Sequence, residues 1–422
     1  MTLRTLAAAC GAVLFAQFAV SPAAIAADAP SRWVSAWGTA LQSIPQQADL
    51  PPLYRAPDVA GRTVRQIVYP TLSGNSVRIH LSNEYGRTPL VVAAMRIARS
   101  AGGASQASAG AAVTFGGKET ATVPPGAQLD SDPVPFEIVA GAPYAISSYM
   151  GGEQRLVAWH RVSSQVNYVS AAVGNHTGDT APEAFRQRFT QFAWVAGVSV
   201  EAPSAATVAA IGDSITDGMR SSLNANRRWP DALARRLAQQ GDRSTAVVNL
   251  GISGNRLLSD SPCYGDALVK RFGRDVLERP GVKTAILLIG INDINFSSTP
   301  SRRGLDCDYP HTSVTAADLI AGYQRVIAEA HGHGVRIFGA TLTPASLPPQ
   351  RESIRLAVNQ WIRSTRALDG VVDFDAALRD PARPDRLRHG FDSGDNIHPS
   401  DAGYTAMAEA IPLDAVVNST RK

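Results

Sequence analysis

From Thr207 onward the hydrophobicity of this chain settles into one repeating order. Apolar runs at 207–211, 246–251, 284–291, 335–342 and 371–374 are separated by helical stretches. In the clearest stretch Leu319, Tyr323, Val326, Ile327 and Ala330 fall on one face, and Thr315 and Asp318 stand ahead of them at capping-box spacing. Strands that alternate with helices return by crossover connections. They build a parallel sheet with helices on both faces. Ligands on such sheets bind outside the carboxyl ends of the strands, so the residues that follow each apolar run are the ones to read for function.

The preceding part has a different period. From about 33 to 200 the chain alternates apolar and polar residues in short runs at 63–69, 76–82, 90–98, 112–115, 135–139, 143–147, 166–170 and 192–200. Turn residues divide them, among them Gly74-Asn75, Gly116-Gly117 and Gly141. Many short strands without a long helix predict an all-β sandwich or jelly roll. The Gly, Ala and Ser-rich stretch 102–110 lacks the strand-to-helix context of a phosphate loop and reads as a flexible loop.

The first residues read as an address. A short cationic start with Arg4, an apolar stretch from Leu6 to Val20 and the small residues Ala24 and Ala26 form a secretory signal peptide over 1–26. The expected organisation is therefore signal peptide 1–26, a β-rich domain over 31–203 and an α/β domain over 204–422, exported to the periplasm or the medium. Cys10 leaves with the leader, and nothing else in the sequence resembles a membrane span. Cys263 and Cys307 remain, and in an oxidising compartment such a pair is expected to be bridged. Closing a loop of about 45 residues is worth roughly 4 kcal/mol in the chain-entropy model. Two free thiols in denatured, unreduced protein would reject the bridge. The formal net charge of +4 gives no case for nucleic acid or an anionic membrane as a partner.

Four segments stand where the α/β reading puts function. They are Gly212-Asp-Ser214, Asn249-Leu-Gly-Ile-Ser-Gly254, Gly290-Ile-Asn292-Asp293 and, near the C-terminus, expected to open the last helix, Asp395-Asn-Ile-His398-Pro. They carry the parts that acyl transfer requires. Serine is a weak nucleophile and needs a base, which His398 supplies. Asp395, three residues earlier, reaches the other ring nitrogen and orients it. Negative charge building on the carbonyl oxygen needs donors, and the candidates are the backbone N–H groups of Ser214 and Gly254 and the side-chain amide of Asn292. Activity is expected to rise with pH around the histidine reference value of about 6.5, and a flat profile between about pH 5 and 8 with chemistry limiting would contradict this.

In this order and context the four blocks resemble those of the SGNH (GDSL-type) hydrolase superfamily, over residues 204 to about 417. The resemblance implies a flavodoxin-like three-layer α/β/α fold and hydrolysis of carboxylic esters without metal or organic cofactor. Ser214, Gly254, Asn292 and His398 are then the four name-giving residues, with Asp395 completing the triad. Ile215 takes the place of the leucine in the GDSL name. No Gly-x-Ser-x-Gly of the α/β-hydrolases is present. The β-rich part resembles the domain that precedes this module in some secreted bacterial members.

Other readings stay open at this point. The same groups serve a glycan O-acetyl esterase or transacetylase, or a hydrolase of another acyl substrate such as a lactam. The non-enzymatic alternative is a carbohydrate-binding protein, with Trp33, Trp37, Trp159 and Trp194 as a sugar platform instead of core. His389 and Asp392 rival the Asp395/His398 pair, and Gly251 rivals Gly254. His331 and His333 are expected to be solvated, and His80 and His160 to be ordinary packing. Asp213, Asp217 and Asp293 are expected to order turns. The loop 295–313, pinned by Cys263–Cys307, is expected to wall the acyl pocket. Acyl chain length and oligomeric state are not readable.

Overall fold

The computed structural model describes residues 33–47 and 49–417, together with Thr2. The expected leader, with Cys10 and its cleavage site, lies outside the described residues.

The N-terminal part is a β-sandwich. Its principal strands are β1 (Trp33–Gly38), β2 (Thr63–Val68), β3 (Gly74–Ser82), β4 (Leu90–Gly102), β5 (Val134–Ile138), β6 (Tyr144–Met150), β7 (Asn167–Val169), β8 (Gln187–Phe189) and β9 (Val195–Glu201). One sheet runs β1-β9-β3-β5 and the other β8-β7-β2-β6-β4, all antiparallel. Alternation along β3 sends Val77, Ile79 and Leu81 into the space between the sheets, where they meet Val64 and Val68 of β2 and Val92 and Ile97 of β4.

Two expectations change in this half. The stretch 102–110 is not a loose loop: Ser105–Gln106 folds back on β4 as a hairpin, and the buried Gln106 amide donates to Thr177 O and Asp179 O. The run 112–115 is a strand only at its start, in Ala111–Ala112, because Phe115 pairs with Lys118 around the Gly116-Gly117 turn. Trp37, Trp159 and Trp194 are buried, and Trp33 lies beneath the guanidinium of Arg78, so these rings are core and edge packing, not an open platform.

The chain passes directly from β9 into the α/β part. Its strands are β10 (Ala206–Gly212), β11 (Thr245–Gly251), β12 (Val282–Leu288), β13 (Arg336–Ala340) and β14 (Gly370–Val372). They are parallel in the order β11-β10-β12-β13-β14, the flavodoxin-like order 2-1-3-4-5. Every residue of β10 is buried, as expected for a central strand covered on both faces. The helices are α1 (Ser214–Asp217), α2 (Trp229–Gln239), α3 (Leu268–Phe272), α4 (Ile291–Phe296), α5 (Ala316–Gly332), α6 (Pro349–Ser364), α7 (Phe374–Leu378), α8 (Asp401–Glu409) and α9 (Leu413–Val417). Two apolar runs read as strands end in helix instead. Gly290, at φ +123°, turns the chain into α4 at Ile291, and Asp373 caps α7 at Phe374.

The β-sandwich lies against the β11 side of the parallel sheet. Polar bonds stitch the two together: Ser35 N–H donates to Pro280 O (2.9 Å), Thr207 Oγ1 to Ser35 O (2.9 Å), and the Arg279 guanidinium to Ala196 O (2.9 Å) and Thr39 O (3.0 Å). This junction brings β-sandwich residues to the rim where the parallel strands end.

Candidate active site

Ser214 is the first residue of α1, two residues beyond β10, and β10 and β12 flank the point where the strand order reverses. The local turn is set by its neighbours. A Cβ on Gly212 would stand 2.1 Å from Leu288 O, so only glycine lets β10 end this close to β12. Asp213 is extended, and its Oδ1 caps the helix by accepting from Ile215 N (3.0 Å). His398 arrives from the loop ahead of α8. Its Nδ1–H donates to Asp395 Oδ2 (2.8 Å), which leaves Nε2 to accept from the Ser214 hydroxyl (2.9 Å). Burial pushes the Asp395 carboxyl up, but the backbone N–H and ring of His398 and the N–H of Ile397 outweigh it, and the group is held well below the usual carboxylate range. Asp395 thus stays an anion beside the imidazole, with Arg220 Nε 3.2 Å away on its open side.

The oxyanion donors named from the sequence converge on the same rim. Gly254 sits at φ +85°, and a Cβ there would stand 2.4 Å from the Tyr264 ring, so both backbone and space require glycine. Among the described residues the N–H groups of Ser214 and Gly254 meet no backbone or side-chain acceptor. The rival Gly251 differs: its N–H goes to Asn249 Oδ1 (3.0 Å), and its missing Cβ makes room for the backbone of Asp217. Asn292, in the first turn of α4, gives one amide hydrogen to Asn255 O (3.0 Å), and the second meets no acceptor among the described residues.

Beneath these groups lies a framework that sequence reasoning missed. The wholly buried Arg271 donates to Gly212 O (2.9 Å), Leu250 O (2.9 Å) and Asn255 Oδ1 (3.0 Å), and pairs with Asp275 (2.9 Å). One cation therefore joins the ends of β10 and β11 to the residue that orients Asn292. Asp293 accepts from Leu257 N (2.8 Å) and Leu258 N (3.0 Å) and fixes the loop after Gly254. Asp217 accepts from Ser253 N (2.9 Å) and Ser253 Oγ (2.6 Å) on one oxygen and from His160 Nε2 (2.9 Å) on the other. His160 belongs to the β-sandwich and is more than ordinary packing. The only sequence signal for it was a histidine at a strand end.

Asp213 carries a pH-dependent consequence. Among the described residues its second oxygen has no partner, and burial, with Asp293 and Asp217 nearby, pushes the carboxyl up to about 7. The unfolded chain releases that proton near pH 4, so the folded state binds more protons between about 4 and 7, and stability falls as pH rises through that window by up to about 1.4 kcal/mol per pH unit. Asp213→Asn removes the slope. Its stability relative to the native protein is expected to grow from pH 4 to 7 and then level off. Denaturation midpoints at stepped pH check this, and a difference independent of pH would reject it.

The remaining candidates fall elsewhere. His389 is exposed, and Asp392 organises its own turn through Gly394 N and Asn396 N. His331 pairs with Asp369, His333 bonds Glu329 O, and His80 sits between Asp130 and Gln128. Among the described residues no cluster of His, Cys, Asp or Glu is placed to hold a metal, and no helix is long and apolar enough to cross a membrane. Cys263 and Cys307 are bridged, with Cα atoms 5.0 Å apart. The loop that carries Cys307 begins two residues later than expected, after α4 ends at Phe296. Opening the bridge by Cys307→Ser is expected to cost roughly 4 kcal/mol, checked by denaturant unfolding with and without reductant. A cavity of about 260 Å³ lined by Ser82, Leu90, Leu156 and Trp194 lies in the β-sandwich and touches none of the rim residues.

A serine hydroxyl, an imidazole and a carboxylate in line, with amide donors beside them on a 2-1-3-4-5 sheet, define an α/β enzyme built for acyl transfer. Residues 210–406 match the model of the GDSL-like Lipase/Acylhydrolase family. The α/β part of the chain thus matches a GDSL-like family of the SGNH type, and the match supports a serine esterase or acylhydrolase. No curated protein matches the chain. Among solved structures it is similar to the acetyl xylan esterase AlAXEase (20% identity, 50% of this chain and 100% of that one, TM-score 0.37). It is also similar to Axe2, an acetylxylan esterase from Geobacillus stearothermophilus (22%, 50% and 94%, TM-score 0.37), and to TesA (20%, 48% and 94%, TM-score 0.36).

Proposed function

We propose that the protein is an exported carboxylic ester hydrolase that works through an acyl-enzyme on Ser214, with small-molecule or glycan esters as substrates. The carrying observation is the continuous chain from Asp395 through His398 to the Ser214 hydroxyl, 2.8 and 2.9 Å. His398 Nε2 takes the hydroxyl proton as Ser214 attacks the ester carbonyl, and Asp395 stabilises the imidazolium that forms. The negative charge passes to the carbonyl oxygen, where the N–H groups of Ser214 and Gly254 and the free hydrogen of Asn292 receive it. His398 then gives the proton to the leaving alcohol. Water, activated by the same imidazole, releases the acid. The bridged cysteine pair supports an oxidising destination.

The test is turnover of p-nitrophenyl acetate, butyrate and octanoate, together with peptide mass spectrometry after treatment with a fluorophosphonate. Turnover with the adduct on Ser214 is the expected result. Turnover with the adduct on another residue would overturn the assignment. Asn292→Ala is expected to lower kcat by about 10²- to 10³-fold with little change in KM, as for the loss of one oxyanion donor.

A further inference from the structure

Next to His160 in the β-sandwich stands an arginine with no function in the scheme above. Arg161 is only 8% exposed. Its Nε is buried and unbonded, and among the described residues its guanidinium makes no hydrogen bond or ion pair. Buried arginines elsewhere in the molecule are handled differently: Arg271 and Arg355 pair with carboxylates, and Arg256 spends both Nη groups on the carbonyls of Asp260, Asp308, Tyr309 and Pro310. The planar cation of Arg161 instead faces two rings, 5.3 Å from the centroid of Tyr54 and 5.7 Å from that of Tyr264. Tyr264 is the ring that packs on Gly254. Asp308 also acts on Tyr264 but forms no ion pair with Arg161. A buried Nε without a partner is costly, and the Nη groups, bonded to nothing among the described residues, complete a fork that matches a carboxylate.

We propose that Arg161 is the anion-binding residue of the substrate site and takes a carboxylate carried by the ester. This rests on the ester-hydrolase reading. The β-sandwich then contributes specificity directly: His160 reaches under the oxyanion loop, and Arg161 reads the substrate beside it. The carboxylate belongs either to the acyl group, as in a dicarboxylic half-ester, or to the alcohol, as in an acylated uronate.

Mono-p-nitrophenyl glutarate against p-nitrophenyl butyrate tests the acyl side, and acetylated methyl glucuronoside against acetylated methyl glucoside tests the alcohol side. The native enzyme is expected to prefer the acidic member of one pair. Arg161→Gln is expected to lower kcat/KM for that ester roughly 10- to 100-fold, mainly through KM, with its neutral counterpart within about twofold and partial recovery in Arg161→Lys. Equal losses on acidic and neutral esters, or no loss, would overturn the proposal, and the lysine variant decides the matter if the glutamine variant fails to fold. Calorimetric titration of glutarate and of glucuronate into Ser214→Ala protein, with and without Arg161→Gln, reads the anion site without turnover. Arginine-dependent binding without esterase activity would sink the hydrolase reading and keep the subsite. Esterase activity indifferent to substrate charge, with no such binding, would sink the subsite alone.

Discussion

Alanine at Ser214 is expected to lower kcat for p-nitrophenyl acetate by roughly four to six orders of magnitude, and alanine at His398 by a similar amount. The two groups act as one unit. Without the imidazole 2.9 Å from it, the hydroxyl keeps its proton, and without the hydroxyl the imidazole has nothing to activate. Removing both should therefore cost little more than removing either one. Asp395→Ala should cost less, because His398 keeps its contact with Ser214, although it loses the acceptor that fixes its tautomer. KM should move little in all of these variants, since none of the three groups is placed to bind ground-state substrate more tightly than the transition state. Stopped-assay hydrolysis with the single and double variants checks the pattern. Additive losses from Ser214→Ala and His398→Ala would mean that the two do not share a step.

How much of this was legible beforehand follows from the range of each interaction. Parallel strands covered on both faces read as unbroken apolar runs, so β10, β11 and β12 and the residues just beyond them stood out. Asp395 and His398 were paired by local spacing. Gly254 was preferred to Gly251 through a resemblance, and the structure supplies the physical difference in the free N–H and the Tyr264 ring. The groups that hold the site together were not legible. Arg271 lies 59 residues from Gly212, and His160 lies 57 residues from Asp217. No local pattern distinguishes either from a surface arginine or a packing histidine, because each is defined by what folding brings around it. The strand boundaries at Ile291 and Phe374 failed for a related reason: an apolar residue that starts a buried helix looks the same as one that ends a buried strand.

The His160–Asp217 pair should be the most costly contact to break in the junction between the two parts. Both side chains are almost wholly buried, at 4% and 1% exposure. Every acceptor around the imidazole is an oxygen: Ala40 O (3.0 Å) on Nδ1, and Val162 O (3.1 Å) with Asp217 Oδ1 (2.9 Å) on Nε2. Nε2 therefore donates to Asp217. His160→Ala leaves the Asp217 carboxylate facing a void, with only the Ser253 donors on its other oxygen. Stranding one member of a buried pair costs about 3–5 kcal/mol. The effect should also reach turnover, because Asp217 closes α1, which begins at Ser214, and holds Ser253, which precedes Gly254, the proposed oxyanion donor. His160→Ala is thus expected to lower both the denaturation midpoint and kcat, while a remote β-sandwich substitution of equal destabilisation should lower only the midpoint. A cycle of His160→Gln, Asp217→Asn and the double variant isolates the pair. Coupling above about 1 kcal/mol in stability, accompanied by coupling in kcat, would identify the β-sandwich as a working part of the catalytic site. Independent effects would reduce it to a neighbour that merely packs there.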